Sequence, residues 1–160
     1  MIVTRGRRAI LIDHRRKFGR RLDQDIAIMP TILIIDDNED LRETLVAVLQ
    51  DEGYEIVVAE DGLSGARVFA ESHPDLVVTD LIMPNANGFD TIRQIRAIDP
   101  KARILAMSGG SLINKDDYLA TAAALGAMRV LPKPFEVDDL LRAVIACLNS
   151  PPPALDVSAA

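Results

Sequence analysis

The chain predicts an α/β fold: a five-stranded parallel sheet, doubly wound, with helices on both faces. Three observations carry this. Five short apolar runs, each four to six residues long, recur between Thr31 and Leu131 and are too short to be helices. Between them lie stretches with apolar residues three and four positions apart, the spacing of amphipathic helices. The runs are apolar throughout rather than alternating, as strands become when both faces of a sheet are covered. An uninterrupted alternation of strand and helix leaves right-handed crossovers in one parallel sheet.

The elements follow in order. Thr31–Ile35 (TILII) is the first strand and runs directly into Asp36, Asp37, Asn38, Glu39 and Asp40. Leu41, Leu45, Val48 and Leu49 then mark a helix that stops at Gly53, a residue suited to the left-handed helix end. Tyr54–Ala59 is the second strand, and Gly62–Ser72 a short helix packing through Ala66 and Phe69. Leu76–Thr79 is the third strand, delivering Asp80 to its carboxyl end, with Met83, Pro84 and Asn85–Gly88 turning the chain. Phe89–Ile98 forms the third helix, stopped by Asp99-Pro100. Arg103–Met107 is the fourth strand, ending at Ser108, Gly109 and Gly110. An alanine-rich helix over Asp116–Leu125 is capped by Gly126, and Met128–Leu131 is the fifth strand. The last helix, Glu136–Leu148, places Val137, Leu141, Val144 and Leu148 on one face, with Cys147 at the edge of the core.

Composition bounds the function. A length of 160 residues and a 49% apolar fraction fit one domain with a full core, residues 30–149. The single cysteine cannot close an internal disulfide, and His14 and His73 are too isolated to suggest zinc; a reducing cytoplasm is the expected home. No apolar run approaches the ~20 residues of a membrane span, and no signal peptide is expected. Residues 1–29 carry eight basic against three acidic side chains, whereas the remainder carries ten against twenty-one. So acidic a body is a poor ligand for nucleic acid. The basic segment 1–29 reads as a flexible extension, an anchor for an acidic partner, or sequence upstream of a start at Met29; residues 150–160 read as a proline-rich flexible tail.

The strand ends are where the chemistry gathers. In an open parallel sheet, ligands bind beyond the carboxyl ends of the strands. Asp36 and Asp37, Asp80, Ser108 and Lys133 all arrive at that edge. Two carboxylates ~5 Å apart repel by about 3 kcal/mol at an effective dielectric of 20, a cost that a divalent cation removes. Oxygen ligands from one or two carboxylates describe a Mg2+ site. A bland reading of Asp36-Asp37 is that the pair caps the following helix. That reading leaves Asp80 and Lys133 without a role. Mg2+ beside a carboxylate, a hydroxyl and an ammonium suits phosphoryl transfer, with Asp80 as nucleophile and Lys133 and Ser108 binding phosphoryl oxygens.

Four motifs in order, ILIIDD (Ile32–Asp37), DLIMPNANG (Asp80–Gly88), MSGG (Met107–Gly110) and LPKPF (Leu131–Phe135), closely resemble the receiver domain of the two-component response-regulator family. The resemblance implies a flavodoxin-like sheet of order 2-1-3-4-5. It implies Asp80 as phosphoacceptor, Asp37 and Asp80 as direct Mg2+ ligands, Asp36 as a ligand through water, and the Ile82 backbone carbonyl as a further ligand. Ser108 becomes the switch hydroxyl and Lys133 the phosphate-sensing cation. The phosphodonor would be a sensor histidine kinase or a histidine phosphotransfer protein, and a downstream protein target would read the fourth helix and fifth strand. The chain would be no enzyme beyond its own phosphorylation and dephosphorylation. Lacking a second domain in this sequence, it reads as a stand-alone receiver.

Two departures shape what to expect. Val130 stands where relatives commonly carry an aromatic switch residue, and the loop from Gly109 to Asp117 is long. Output is therefore expected through that loop and the start of the fourth helix. Neither Ile82 nor Gly110, at positions that influence dephosphorylation, can orient water by its side chain. Two rivals predict different residues. A flavodoxin-type cofactor protein needs a hydroxyl-rich phosphate loop where this chain has Asp36, Asp37, Glu39 and Asp40. A phosphate-independent interaction module would lack one of the acid, hydroxyl or lysine groups.

Overall fold

Solvation decides the layering: strands apolar on both faces must be covered twice, and the computed structural model does so. It describes residues 29–83, 86–109 and 115–153. The readings of residues 1–28, the 110–114 loop and the tail beyond Pro153 lie outside the described residues. The elements run β1 (Thr31–Ile35), α1 (Glu39–Asp51), β2 (Glu55–Ala59), α2 (Gly62–Ser72), β3 (Leu76–Asp80), β4 (Ile82–Met83), β5 (Ala86–Asn87), α3 (Gly88–Ile98), β6 (Ile104–Ser108), α4 (Lys115–Ala124), β7 (Arg129–Pro132) and α5 (Val137–Asn149). Five strands pair in parallel in the order β2-β1-β3-β6-β7. Counting the main strands alone, this is the expected 2-1-3-4-5 order.

Alternate residues along each strand feed two cores, as the pleat requires. Leu33, Ile35, Val77, Ile104 and Ala106 meet Phe69 of α2, Ile92 and Ile95 of α3, and Ala122 of α4. Ile32, Ile34, Leu76, Val78, Leu105 and Met107 meet Leu45 and Leu49 of α1, and Leu140, Val144 and Cys147 of α5. Burying each of these large side chains fully is worth about 1.5–3 kcal/mol. The predicted face of α5 needs correction. Val137 is 50% exposed, and the fully covered stripe is Leu140, Val144 and Cys147. Val137 is the first residue of the helix, one turn ahead of the covered stripe. Cys147 belongs to the core itself, where burial pushes its thiol pKa up.

Helix ends follow local chemistry. Gly53 (φ 89°) and Gly126 (φ 102°) take left-handed backbone angles after α1 and α4, as their sequence positions suggest. His73 does the same after α2 at φ 46° without being glycine. Asp61 and Ser64 form a capping box at the start of α2. The turn expected after Asp80 contains a short antiparallel ladder instead, pairing Ile82 with Asn87 and Met83 with Ala86. Ladders this short leave no run for a hydrophobic pattern to reveal.

Candidate functional site

Register places the strand ends side by side. Ile35 is level with Thr79 across β1 and β3, so Asp36 and Asp80 emerge together. Asp80 is level with Met107 of β6, putting Ser108 one residue further on beside it. Asp36 is fully buried and Asp80 nearly so, while Asp37 is exposed. Each of the three offers a carboxylate oxygen, and these atoms lie within 4.8 Å of one another. The structure thus brings together the acids that the sequence singled out.

Lys133 bridges two of them. Its Nζ donates to Asp36 Oδ2 at 3.0 Å and to Asp80 Oδ2 at 2.7 Å. Burial alone would lower the pKa of this ammonium; the hydrogen bonds and charges of Asp80 and Asp36 outweigh it, and the pKa is raised. A raised folded pKa means that the stabilisation is complete below the unfolded value and is lost as pH climbs through the folded one. Wild type should therefore exceed Lys133→Met in stability across neutral pH, with the gap closing only above about pH 10.5. Urea unfolding of both proteins between pH 7 and 11 checks this. A gap that closes below pH 9 would contradict it.

The remaining groups orient the acids. Asp80 Oδ1 accepts from the Ile82 N–H at 3.1 Å, which holds the Ile82 backbone against the site. Asp36 Oδ1 accepts from the Asn38 N–H at 2.9 Å. The Lys133–Pro134 peptide is cis. Gly109 follows β6 at the point where the lysine stem crosses: a Cβ there would sit 3.2 Å from Lys133 Cδ. The Ser108 side chain is partly exposed, and its backbone carbonyl accepts from the Lys133 N–H at 2.7 Å. Val130, level with Ala106 in β6, is partly buried against the core.

One alternative reading is corrected. The cap of α1 is Asn38, whose side chain accepts from the Leu41 N–H at 3.0 Å, and not the Asp36-Asp37 pair. The pair is thereby released from helix duty. Sequence reasoning also passed over Arg42, which donates to the Asp36 backbone carbonyl at 2.7 Å. A cation bonded to a backbone carbonyl leaves no periodic signal. The Asn38 cap was legible in principle, standing before Glu39 and Asp40 in the first turn.

The donor set fits a hard divalent cation. All three carboxylates present oxygen, and exposed Asp37 leaves one side open for the water that Mg2+ retains. Asp36 has both carboxylate oxygens engaged, by Asn38 and Lys133, and Asp80 likewise, by Ile82 and Lys133; exposed Asp37 is the acid most open to an ion arriving from solvent.

Sheet order and strand-edge acids define a class, the doubly wound α/β proteins that work at the carboxyl ends of their strands. The family model for the response regulator receiver domain matches residues 32–145, and the chain belongs to that family. It is 38% identical over 132 residues to the DNA-binding transcriptional regulator NtrC of Azospirillum brasilense, covering 81% of this chain and 27% of that one. It is 34% identical over 119 residues to the chemotaxis protein CheY of Bacillus subtilis, covering 74% of this chain and 97% of CheY. A receiver domain protein from Clostridium thermocellum superposes with a TM-score of 0.70 at 30% identity, over 76% of this chain and 95% of that one. The chain thus spans about a quarter of the NtrC relative and nearly all of CheY. Among the described residues, no helix is long and apolar enough to cross a membrane.

Proposed function

We propose that the domain is a phosphoacceptor in a two-component or phosphorelay pathway, taking a phosphoryl group from a phosphohistidine onto Asp80. The observation that carries this reading is the convergence of Asp36, Asp37, Asp80 and Lys133 at one strand edge. An Asp80 carboxylate oxygen attacks phosphorus while the P–N bond to the donor imidazole breaks. The bonding pair leaves with the imidazole nitrogen, which takes up a proton. Asp37, Asp80, the Ile82 carbonyl and, less directly, Asp36 would hold Mg2+, which when bound would neutralise charge at the phosphoryl oxygens. Lys133 is already within reach of Asp80 and meets a second phosphoryl oxygen, and Ser108 donates to a third. The protein acts on no separate substrate under this reading, catalysing only its own phosphorylation and dephosphorylation. Its donor is a sensor histidine kinase or phosphotransfer protein in the cytoplasm. Its target reads the surface around α4 and β7.

With Mg2+ and acetyl phosphate, the chain is expected to gain one acid-labile phosphoryl group, seen by mass spectrometry of the intact protein. No label at any donor concentration would defeat the reading. The metal has its own test. Mg2+ at ten times its Kd should stabilise the fold by about 1.4 kcal/mol through mass action. Asp37→Ala should lose that response in thermal melts. An unchanged Mg2+ shift in this variant would rule out direct ligation by Asp37.

A further inference from the structure

We propose that Arg42 is a positioning residue for the acid cluster, setting the direction in which Asp37 is presented to the metal; this rests on the metal reading given above. Every polar atom of Asp36 is engaged. Its N–H donates to the Ala59 carbonyl at 3.3 Å. Its carboxylate accepts from the Asn38 N–H at 2.9 Å and from Lys133 Nζ at 3.0 Å. Its carbonyl accepts from Arg42 Nη1 at 2.7 Å. That carbonyl belongs to the planar peptide joining Asp36 to Asp37. Fixing its direction fixes the Asp36 ψ angle, and with it the plane from which the Asp37 residue departs.

Asp37 needs such an external hold. It is exposed, follows the last strand residue by two positions, and precedes the Asn38 cap. Among the described residues, Arg42 is the side chain that grips the peptide behind it. The arginine reaches back to that peptide from near the start of α1. An outer group that orients a metal ligand commonly changes metal affinity by 10–100-fold.

The test uses the full chain with Mg2+ alone as probe, comparing wild type, R42M and R42K. R42M keeps the apolar stem and removes the donor, and R42K restores one donor on a slightly shorter stem. R42M should weaken Mg2+ binding about tenfold, measured by NMR titration of backbone amides. It should also speed hydrogen exchange at the Asn38 amide in metal-free protein, because that amide is bonded to the residue being loosened. R42K should recover part of both. A folded R42M protein with wild-type Mg2+ affinity overturns the proposal, whatever its stability. Should wild type itself ignore Mg2+, the metal reading fails separately; unchanged Asn38 exchange in R42M then overturns the positioning role as well.

Discussion

Asp80→Asn is expected to reduce phosphoryl labelling from one group per chain to background while leaving the domain folded. The substitution preserves shape, and an amide oxygen can still accept from the Ile82 N–H that now bonds Asp80 Oδ1. What disappears is the negative oxygen that attacks phosphorus. One ion pair to Lys133 goes with it, but Lys133 keeps Asp36 as a partner, and the mutual repulsion of three carboxylates is relieved. The fold should therefore melt close to the wild-type temperature. Intact-mass measurement after acetyl phosphate treatment reads the outcome. Stoichiometric label on a folded Asp80→Asn protein would move the nucleophile elsewhere, with exposed Asp37 the next candidate.

Gly88→Ala should give the largest loss of stability of any single methyl addition near the site. A Cβ at position 88 would overlap the Asp80 carbonyl oxygen and lie 2.5 Å from Leu81 Cα. Both neighbours are backbone and cannot swing aside as a side-chain tip would. Asp80 and Leu81 are themselves tied to β6 through the Leu81 N–H bond to the Met107 carbonyl at 2.9 Å. Overpacking of this kind costs about 3 kcal/mol. Relief requires α3 to draw back from the end of β3, which also displaces Asp80. Chemical denaturation should register the lost stability, and the surviving folded fraction should label more slowly. A Gly88→Ala protein as stable as wild type would show that α3 sits further from Asp80 than described.

The two predictions rest on features of unequal legibility. Asp80 could be read from the sequence because a buried strand announces itself by hydrophobicity, and a carboxylate at its end contradicts that environment. Lys133 and Ser108 were legible for the same reason, each standing directly after an apolar run. Gly88 looked like one more turn residue; its need for a bare Cα comes from a backbone in another element, which no local pattern encodes. The β4–β5 ladder was hidden likewise, since two-residue strands carry no periodicity. Val137 was misplaced because helical spacing says which positions share a face, not how much of the helix's first turn is covered. Arg42 was missed because its partner is a backbone carbonyl, and every residue has one.

Lys133 has a consequence beyond the neutralisation of two acids. It follows β7 at one margin of the sheet, crosses the end of β6 over Gly109, and grips residues at the ends of β3 and β1. Mechanically it is a tie spanning four of the five strands along the top of the sheet, anchored by covalent bonds at one end and by charge at the other. A tie held by charge changes tension when the charge moves. Under the proposed function, a phosphoryl group on Asp80 carries negative charge outward and shifts the anchor point. The segment joining β7 to α5, which carries Lys133, would then be pulled from one end while Ser108 at the end of β6 is drawn to the same group. Under that reading the sheet margin would serve as a gauge of the state of Asp80, one of the two carboxylates the lysine holds.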